Sequence, residues 1–251
     1  MVVIMPSNEP SPQGTPAAAR GSDKSALYIP GSIIIAGLII GVSIYSALAP
    51  KGGAAANQQV AAGAAATVNI KDVQLSGDPY VGNASAPVIA YWSDYQCPFC
   101  KKFELETLPD IMKKYVNTGK LKVVFKDYPF LGNDSTTGAE YEHAVWALYP
   151  TKFFAWREAM FKAQDQEGDQ GFGNETSILK LSATIPGIDA GKLKAEVAAN
   201  KSAYDKEIAA DRDEGSKFGV NGTPGFVVGT TLISGAQPLE QFTSAIDAAL
   251  K

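Results

Sequence analysis

Cysteine is nearly missing from this chain. With only two in 251 residues, a framework of disulfides is excluded and the fold must rest on its apolar core. Histidine is rarer still, represented by His143 alone, which leaves too few soft ligands for a closed four-coordinate zinc site. Excess positive charge is lacking too. There are 22 Lys and Arg against 26 Asp and Glu, a net −4, and no basic tract, so an electrostatic surface for nucleic acid is excluded. No internal repeat is visible. What the chain does have is apolar material: 45% hydrophobic residues, with three Trp, ten Tyr and eleven Phe, enough for a sizeable core.

Residues 1–25 are rich in Pro, Ser, Ala and Gly with no apolar period, and read as a disordered tail. Ala26 to Ala49 then carries no charge at all and centres on Ile33-Ile34-Ile35-Ala36-Gly37-Leu38-Ile39-Ile40. A helix of about 20 apolar residues crosses a bilayer, and this stretch reaches that length. Tyr28 and Tyr45 near its ends suit the interfaces. Arg20 and Lys24 before it, against Lys51 after it, put the N-terminus in the cytoplasm. A cleaved signal peptide is the competing reading, with Ala47-Leu48-Ala49 as the cleavage site, but the apolar core is long and Pro50 follows directly. Residues 50–67 are Gly, Ala and Gln, a flexible linker with a root-mean-square reach of about 20–25 Å. The expected organisation is therefore a cytoplasmic tail, a single-pass membrane anchor over 26–49, a linker, and a folded extracytoplasmic domain over 68–251.

The two cysteines lie three apart, in Cys97-Pro98-Phe99-Cys100. The apolar run Val88 to Trp92 feeds them and a helical pattern leads away, so strand, short loop and helix follow in order. A cysteine at the helix start meets unsatisfied backbone N–H groups and the positive end of the helix dipole. Both favour the thiolate, the species that attacks a disulfide. Cys100, one turn on, shares the helix face of Cys97. A purely structural disulfide is the alternative, but closing so short a loop gains little chain entropy.

Along the rest of the domain, Val68 to Val73 reads as a lead-in strand, with Gly77-Asp78-Pro79 and Gly82-Asn83-Ala84 as turns. The helix after the cysteines runs from Pro98 to about Val116, and Pro109 should kink or break it. Leu121 to Phe125 is a strand parallel to the first. Helical spacing then covers Ala139–Leu148, Thr151–Ala163, Thr176–Ala183 and Asp189–Phe218. Strands return at Phe226–Val228 and Thr231–Ile233, and a closing helix from Pro238 shows Leu239, Phe242, Ile246 and Leu250 on one face. Such an order predicts an α/β domain with a helical insertion at about 137–218. Asp165-Gln166-Glu167-Gly168-Asp169-Gln170 hints at a calcium loop but lacks glycine at the sixth position. Lys126 and Asp127 read as strand-end charges, with a place under the redox pair as the alternative; His143 reads as a core or surface residue.

Tyr91-Trp92-Ser93-Asp94-Tyr95-Gln96-Cys97-Pro98-Phe99-Cys100 resembles the active-site segment of DsbA-like thiol–disulfide oxidoreductases of the thioredoxin fold. A second signature, Gly219-Val220-Asn221-Gly222-Thr223-Pro224-Gly225-Phe226, is similar to that family's cis-proline loop. The resemblance spans about residues 68–251 and implies a thioredoxin fold with a helical insertion. It implies Cys97 and Cys100 as catalytic residues and Thr223 and Pro224 as substrate-binding, with Phe99 offering an apolar contact beside Cys97. No cofactor and no metal are implied. The implied partners are unfolded or extended cysteine-containing proteins and a quinone-linked membrane oxidase, with the chain a monomer that binds no nucleic acid. Phe99 stands where the strongest oxidants carry histidine, and no dimerisation domain precedes the fold, which favours a disulfide donor over an isomerase. A reductase of the same fold and a non-catalytic tethered binding module are the other readings.

Overall fold

The computed structural model describes residues 68–165, 169 and 171–251. The expected tail, membrane span and linker, residues 1–67, lie outside the described residues. Among the described residues no helix is long and apolar enough to cross a membrane.

Among the described residues five strands form one sheet. They are β1 (Tyr80–Gly82), β2 (Val88–Ser93), β3 (Lys122–Asp127), β4 (Gly225–Val228) and β5 (Thr231–Ser234), in the spatial order β1-β3-β2-β4-β5. β2 is central, parallel to β3 and antiparallel to β4, with Tyr91 opposite both Phe125 and Phe226. Because side chains alternate along a strand, β2 feeds two cores. Ile89 and Tyr91 join the large core with Phe103, Phe125, Phe226 and Phe242, while Ala90 and Trp92 join a smaller one with Val68, Val73, Val220 and Val227. Tyr91 stacks on Phe226 at 4.7 Å and meets Phe103 edge-on at 4.9 Å, geometries aromatic quadrupoles favour.

After β2 the chain is helical over 98–116, as the pattern predicts. It comprises α1 (Pro98–Lys102), α2 (Leu108–Ile111) and two wider π turns, Phe103–Thr107 and Met112–Val116. Pro109 interrupts α hydrogen bonding without parting the helix. The π turn just before it, closed by Leu108 N–H to the Phe103 carbonyl, absorbs the strain of a residue with no N–H. Among the described residues between β3 and β4, four α-helices follow: α3 (Asn133–Leu148), α4 (Phe153–Ala163), α5 (Glu175–Ser182) and α6 (Ala190–Lys217). Asn174 and Asp189 start α5 and α6, their side-chain oxygens accepting the N–H of Ser177 and Lys192 at 3.0 Å. The closing helix is α7 (Leu239–Ala249), which buries Phe242 and Ile246.

Two expectations need correction. Residues 68–73 are not a strand: Asn69 accepts the N–H of Lys71 and winds Ile70–Asp72 into a 3₁₀ turn. A side chain that satisfies a local donor competes with a sheet ladder, and here it wins. In the other direction, the edge strand β1 emerges between two expected turns, because three residues are too short to carry a period of two.

α6 is fastened to the sheet by charge. Lys126, on β3, is buried among Asp78 (2.8 Å), Asp211 (2.5 Å) and Glu214 (3.3 Å), with the Gln74 carbonyl at 3.0 Å. Asp211 also accepts the N–H of Asp127, and its backbone carbonyl accepts the Trp92 indole N–H. Gly215 is required there: a Cβ would come within 2.8 Å of that indole nitrogen. His143 bridges α3, β3 and α6, with Asp127 at 2.8 Å, Glu207 at 3.1 Å and the Tyr204 ring stacked at 5.2 Å.

Burial works against the His143 charge, but the hydrogen bond and charge of Asp127, with Glu142 and Glu207, lift its pKa to about 9. A folded pKa raised above the ordinary 6.5 adds stability that is complete below pH 6.5 and is lost as pH rises through about 9. Urea unfolding of the chain and of His143→Gln should therefore differ by about 2–3 kcal/mol at pH 6 and converge by about pH 10. A difference that did not depend on pH would contradict the charged bridge.

Candidate active site

The site is built where β2 ends. Asp94 turns the chain: its carbonyl accepts the Cys97 N–H (3.1 Å) and its Oδ1 the Gln96 N–H (2.8 Å). The other carboxylate oxygen accepts the N–H of Phe130 (2.9 Å) and Leu131 (3.3 Å), pinning the loop after β3 to the cysteine turn. Gln96 reaches the Phe172 carbonyl at 2.9 Å. An aspartate accepting several backbone N–H groups satisfies donors that a tight turn cannot pair with itself.

Cys97 is the residue before the first turn of α1, with extended backbone (φ −80°, ψ 119°), and Pro98 opens the helix where its missing N–H costs nothing. Its Sγ lies 3.3 Å from the Thr223 carbonyl, to which the thiol donates. Both cysteines are in the dithiol form. The Cys97 pKa falls from 9.0 to about 6. The Cys100 thiol, donating to the Cys97 sulfur, is the largest cause; burial opposes it, and the Thr223 side chain, unlike its carbonyl, adds to it together with the N–H groups of Cys100 and Phe99. Cys100 is fully buried and goes the other way, pushed up by burial and then by the neighbouring Cys97. The pair is thus split into an ionised sulfur and a protonated one, which is the asymmetry that thiol–disulfide exchange uses.

Of the five expected residues the structure brings three into contact. Cys97, Cys100 and Thr223 meet, and Pro224 follows a cis Thr223–Pro224 bond. Phe99, which the helix pattern left free to face either way, points out and is 61% exposed. Lys126, Asp127 and His143 belong to the α6 fastening described above and to none of the contacts of the cysteines. Among the described residues no group of three or more His, Cys, Asp and Glu is arranged to hold a metal.

Several residues at the site carry no sequence signal of their own. Phe130 is 52% exposed beside the cysteine turn, through its N–H to Asp94. Gln164, at the end of α4, donates to the carbonyls of Tyr95 (2.6 Å) and Cys97 (3.1 Å). Arg157, fully buried, bonds Glu104 on the active-site helix and Ser93 and Tyr95 around the turn. All three lie 30 or more residues from the cysteines, so only the packed chain reveals them.

Comparison with known proteins agrees with this geometry. The thioredoxin family profile matches residues 74–248. The chain is similar to disulfide bond formation protein D of Bacillus subtilis, 26% identical over 178 residues, which span 70% of this chain and 79% of that protein. Among solved structures it resembles oxidised BdbD from Bacillus subtilis, with a TM-score of 0.66 and 24% identity over 74% of this chain and 98% of that one. It also resembles the thiol-disulfide exchange protein alpha-DsbA2 from Wolbachia pipientis, with a TM-score of 0.59 and 29% identity over 68% and 86% of the two chains.

Thiolate absorbance of the reduced protein should titrate with a midpoint near pH 6, and Cys97→Ala should remove that transition, since Cys100 ionises only at high pH. In Cys100→Ala the midpoint should move up, because the largest stabiliser of the Cys97 thiolate is gone. A Cys97 midpoint indifferent to Cys100 would refute the thiol-to-thiolate hydrogen bond.

Proposed function

The chain belongs to the thioredoxin family as a DsbA-like thiol–disulfide oxidoreductase, and from that premise we propose that Cys97 and Cys100 donate a disulfide to cysteine-containing proteins as they fold. The observation that carries the direction is the low Cys97 pKa beside a fully buried, protonated Cys100. Stabilising the thiolate stabilises the reduced pair, and so makes the disulfide a stronger oxidant. At pH 7, a thiol titrating near 6 instead of 9 favours the reduced form about tenfold, equivalent to about 30 mV.

In the exchange, a substrate thiolate attacks Sγ of Cys97 in the oxidised pair. The Cys97–Cys100 bond breaks, and Cys100 leaves and takes a proton. A second substrate thiolate then attacks the substrate sulfur of the mixed disulfide. Cys97 departs as a stabilised thiolate, the substrate holds the new disulfide, and two electrons have passed to the pair.

Substrate is held by Phe99, Thr223 and Pro224. The exposed Phe99 and Phe130 offer apolar contacts beside the cysteine turn, suited to chains that have not yet buried their own apolar side chains. The Thr223 carbonyl, which accepts the Cys97 thiol in the dithiol form, is released from it once Sγ is bonded to substrate.

Residues 26–49 anchor the domain in a membrane and residues 50–67 hold it off the surface, on the extracytoplasmic side. A disulfide donor suits that side, because cytoplasmic thiol pools would keep the pair reduced. A quinone-linked membrane oxidase reoxidises the pair after each turnover.

Equilibration with glutathione should give a potential well above the roughly −270 mV of thioredoxin, and the oxidised protein should form disulfides in a reduced, unfolded substrate. A potential at the thioredoxin value would assign the chain to reduction instead. The double change Phe99→Ser and Phe130→Ser should slow oxidation of unfolded protein several-fold and leave the reaction with dithiothreitol unchanged. Protease added to spheroplasts should digest the domain over 68–251; protection would contradict the topology.

A further inference from the structure

The active-site turn is gripped from outside the strand–helix unit that carries it. Arg157 and Phe161, at i and i+4, share one face of α4, Gln164 is the residue that follows the helix, and all three address Tyr95. Arg157 Nη1 donates to the Tyr95 hydroxyl (3.2 Å), Phe161 stacks on its ring (5.0 Å), and Gln164 Nε2 donates to its carbonyl (2.6 Å). Gln164 Nε2 reaches the Cys97 carbonyl as well (3.1 Å). Its own backbone oxygen accepts Lys101 Nζ at 2.7 Å, which holds the end of α4 against the first turn of α1.

The amide cannot be turned round, because both partners are carbonyls and demand its NH₂ end. Gln164 Oε1 is thereby left buried without a hydrogen bond among the described residues. The Cys97 carbonyl is also the one handle on the peptide bond that follows the nucleophile, since Pro98 has no N–H. It carries two donors, Lys101 N–H at 3.1 Å and Gln164.

We propose that Gln164 is a positioning residue for Cys97: by holding the carbonyls of Tyr95 and Cys97 together, it keeps the nucleophilic sulfur over the first turn of α1, so that the helical insertion tunes the reactivity of the thioredoxin-type site. The proposal rests on the oxidoreductase reading of Cys97 and adds to it a residue 67 positions away. Without the grip, the turn relaxes and Sγ spends less time over the Phe99 and Cys100 N–H groups that stabilise its anion. The positive end of the Gln164 amide dipole, aimed at the Cys97 carbonyl, acts in the same direction.

Gln164→Met keeps the side-chain length, removes the donor and removes the orphaned oxygen, so it should fold as the parent does by circular dichroism. Gln164→Glu keeps the shape and cannot donate when ionised. In both, the Cys97 midpoint read by thiolate absorbance should rise by about one unit, cutting the thiolate fraction at pH 5 about tenfold. Exchange with a small disulfide at that pH should slow only about threefold, because the more basic thiolate is intrinsically more nucleophilic. A residue that merely supports packing would lower the melting temperature and leave the midpoint alone. Midpoints unchanged or lowered in Gln164→Met and Gln164→Glu would overturn the proposal. A parent protein with no midpoint near pH 6 would instead overturn the reading of Cys97 itself.

Discussion

One buried charge ties the two halves of this fold together. The Arg157 guanidinium on α4 has no exposed surface, and each of its three nitrogens donates across an element boundary. It bonds Glu104 on the active-site helix (2.7 Å), Glu142 on α3 (2.9 Å), Ser93 at the end of β2 (2.7 Å) and Tyr95 in the cysteine turn (3.2 Å). Its flat face lies over the Phe125 ring, with the guanidinium carbon 4.2 Å from the ring centroid. A planar fork of donors is the side chain best suited to such a junction, and lysine could not replace it. Burying the cation is costly, and the carboxylates that compensate it are strained in turn: burial raises the pKa of both Glu104 and Glu142, with Arg157 pulling against it. A gap left by any one partner would strand a charge in the core. The insertion is therefore docked on the thioredoxin-like part in one register, and the turn that bears Cys97 is part of what it holds.

Beyond the Arg157 junction, the electrostatics of the described residues separate into two further regions with different work. Around Lys126 and His143, cations and carboxylates lace α6 to β3, and burial makes that fastening strong and specific. Around Cys97, fixed donors and a neighbouring thiol replace ionic partners, so a sulfur anion is favoured while both sulfurs remain reactive. Phe99 and Phe130 leave the mouth of the site apolar. A lysine or arginine there would put a charge at the mouth, whereas phenyl rings present apolar surface without one.

Most of the domain is legible residue by residue because its signals are local. Pro98 after Cys97 marks a helix start, Val88 to Trp92 is a short apolar run that reads as a strand, and Leu239, Phe242 and Ile246 repeat at helical spacing. The Thr223–Pro224 loop is legible through its likeness to a known family, and the structure sets its carbonyl against Cys97. Other features were hidden for definite reasons. β1 is three residues long, and the 3₁₀ turn at Ile70 is decided by the Asn69 side chain against an apolar alternation that favours a strand. Phe130 and Gln164 look like ordinary loop and helix-end residues until Asp94 and Tyr95 are brought to them.

By itself, then, the order of residues determines a sulfur pair at a helix N-terminus, because dipole, orphan N–H groups and the spacing of three act within one turn of chain. It also determines the β-α-β, helical, β-β-α sequence of elements, since hydrophobic period and turn chemistry act over a few residues. Tertiary structure alone decided which sulfur carries the charge, by burying Cys100 and setting its thiol and the N–H groups of the first turn against the Cys97 sulfur. It likewise decided that Lys126, Asp127 and His143 fasten α6 to the sheet and that Gln164 and Arg157 bond the cysteine turn. Desolvation and hydrogen bonding depend on neighbours in space, and for these residues the neighbours lie up to 126 positions away along the chain.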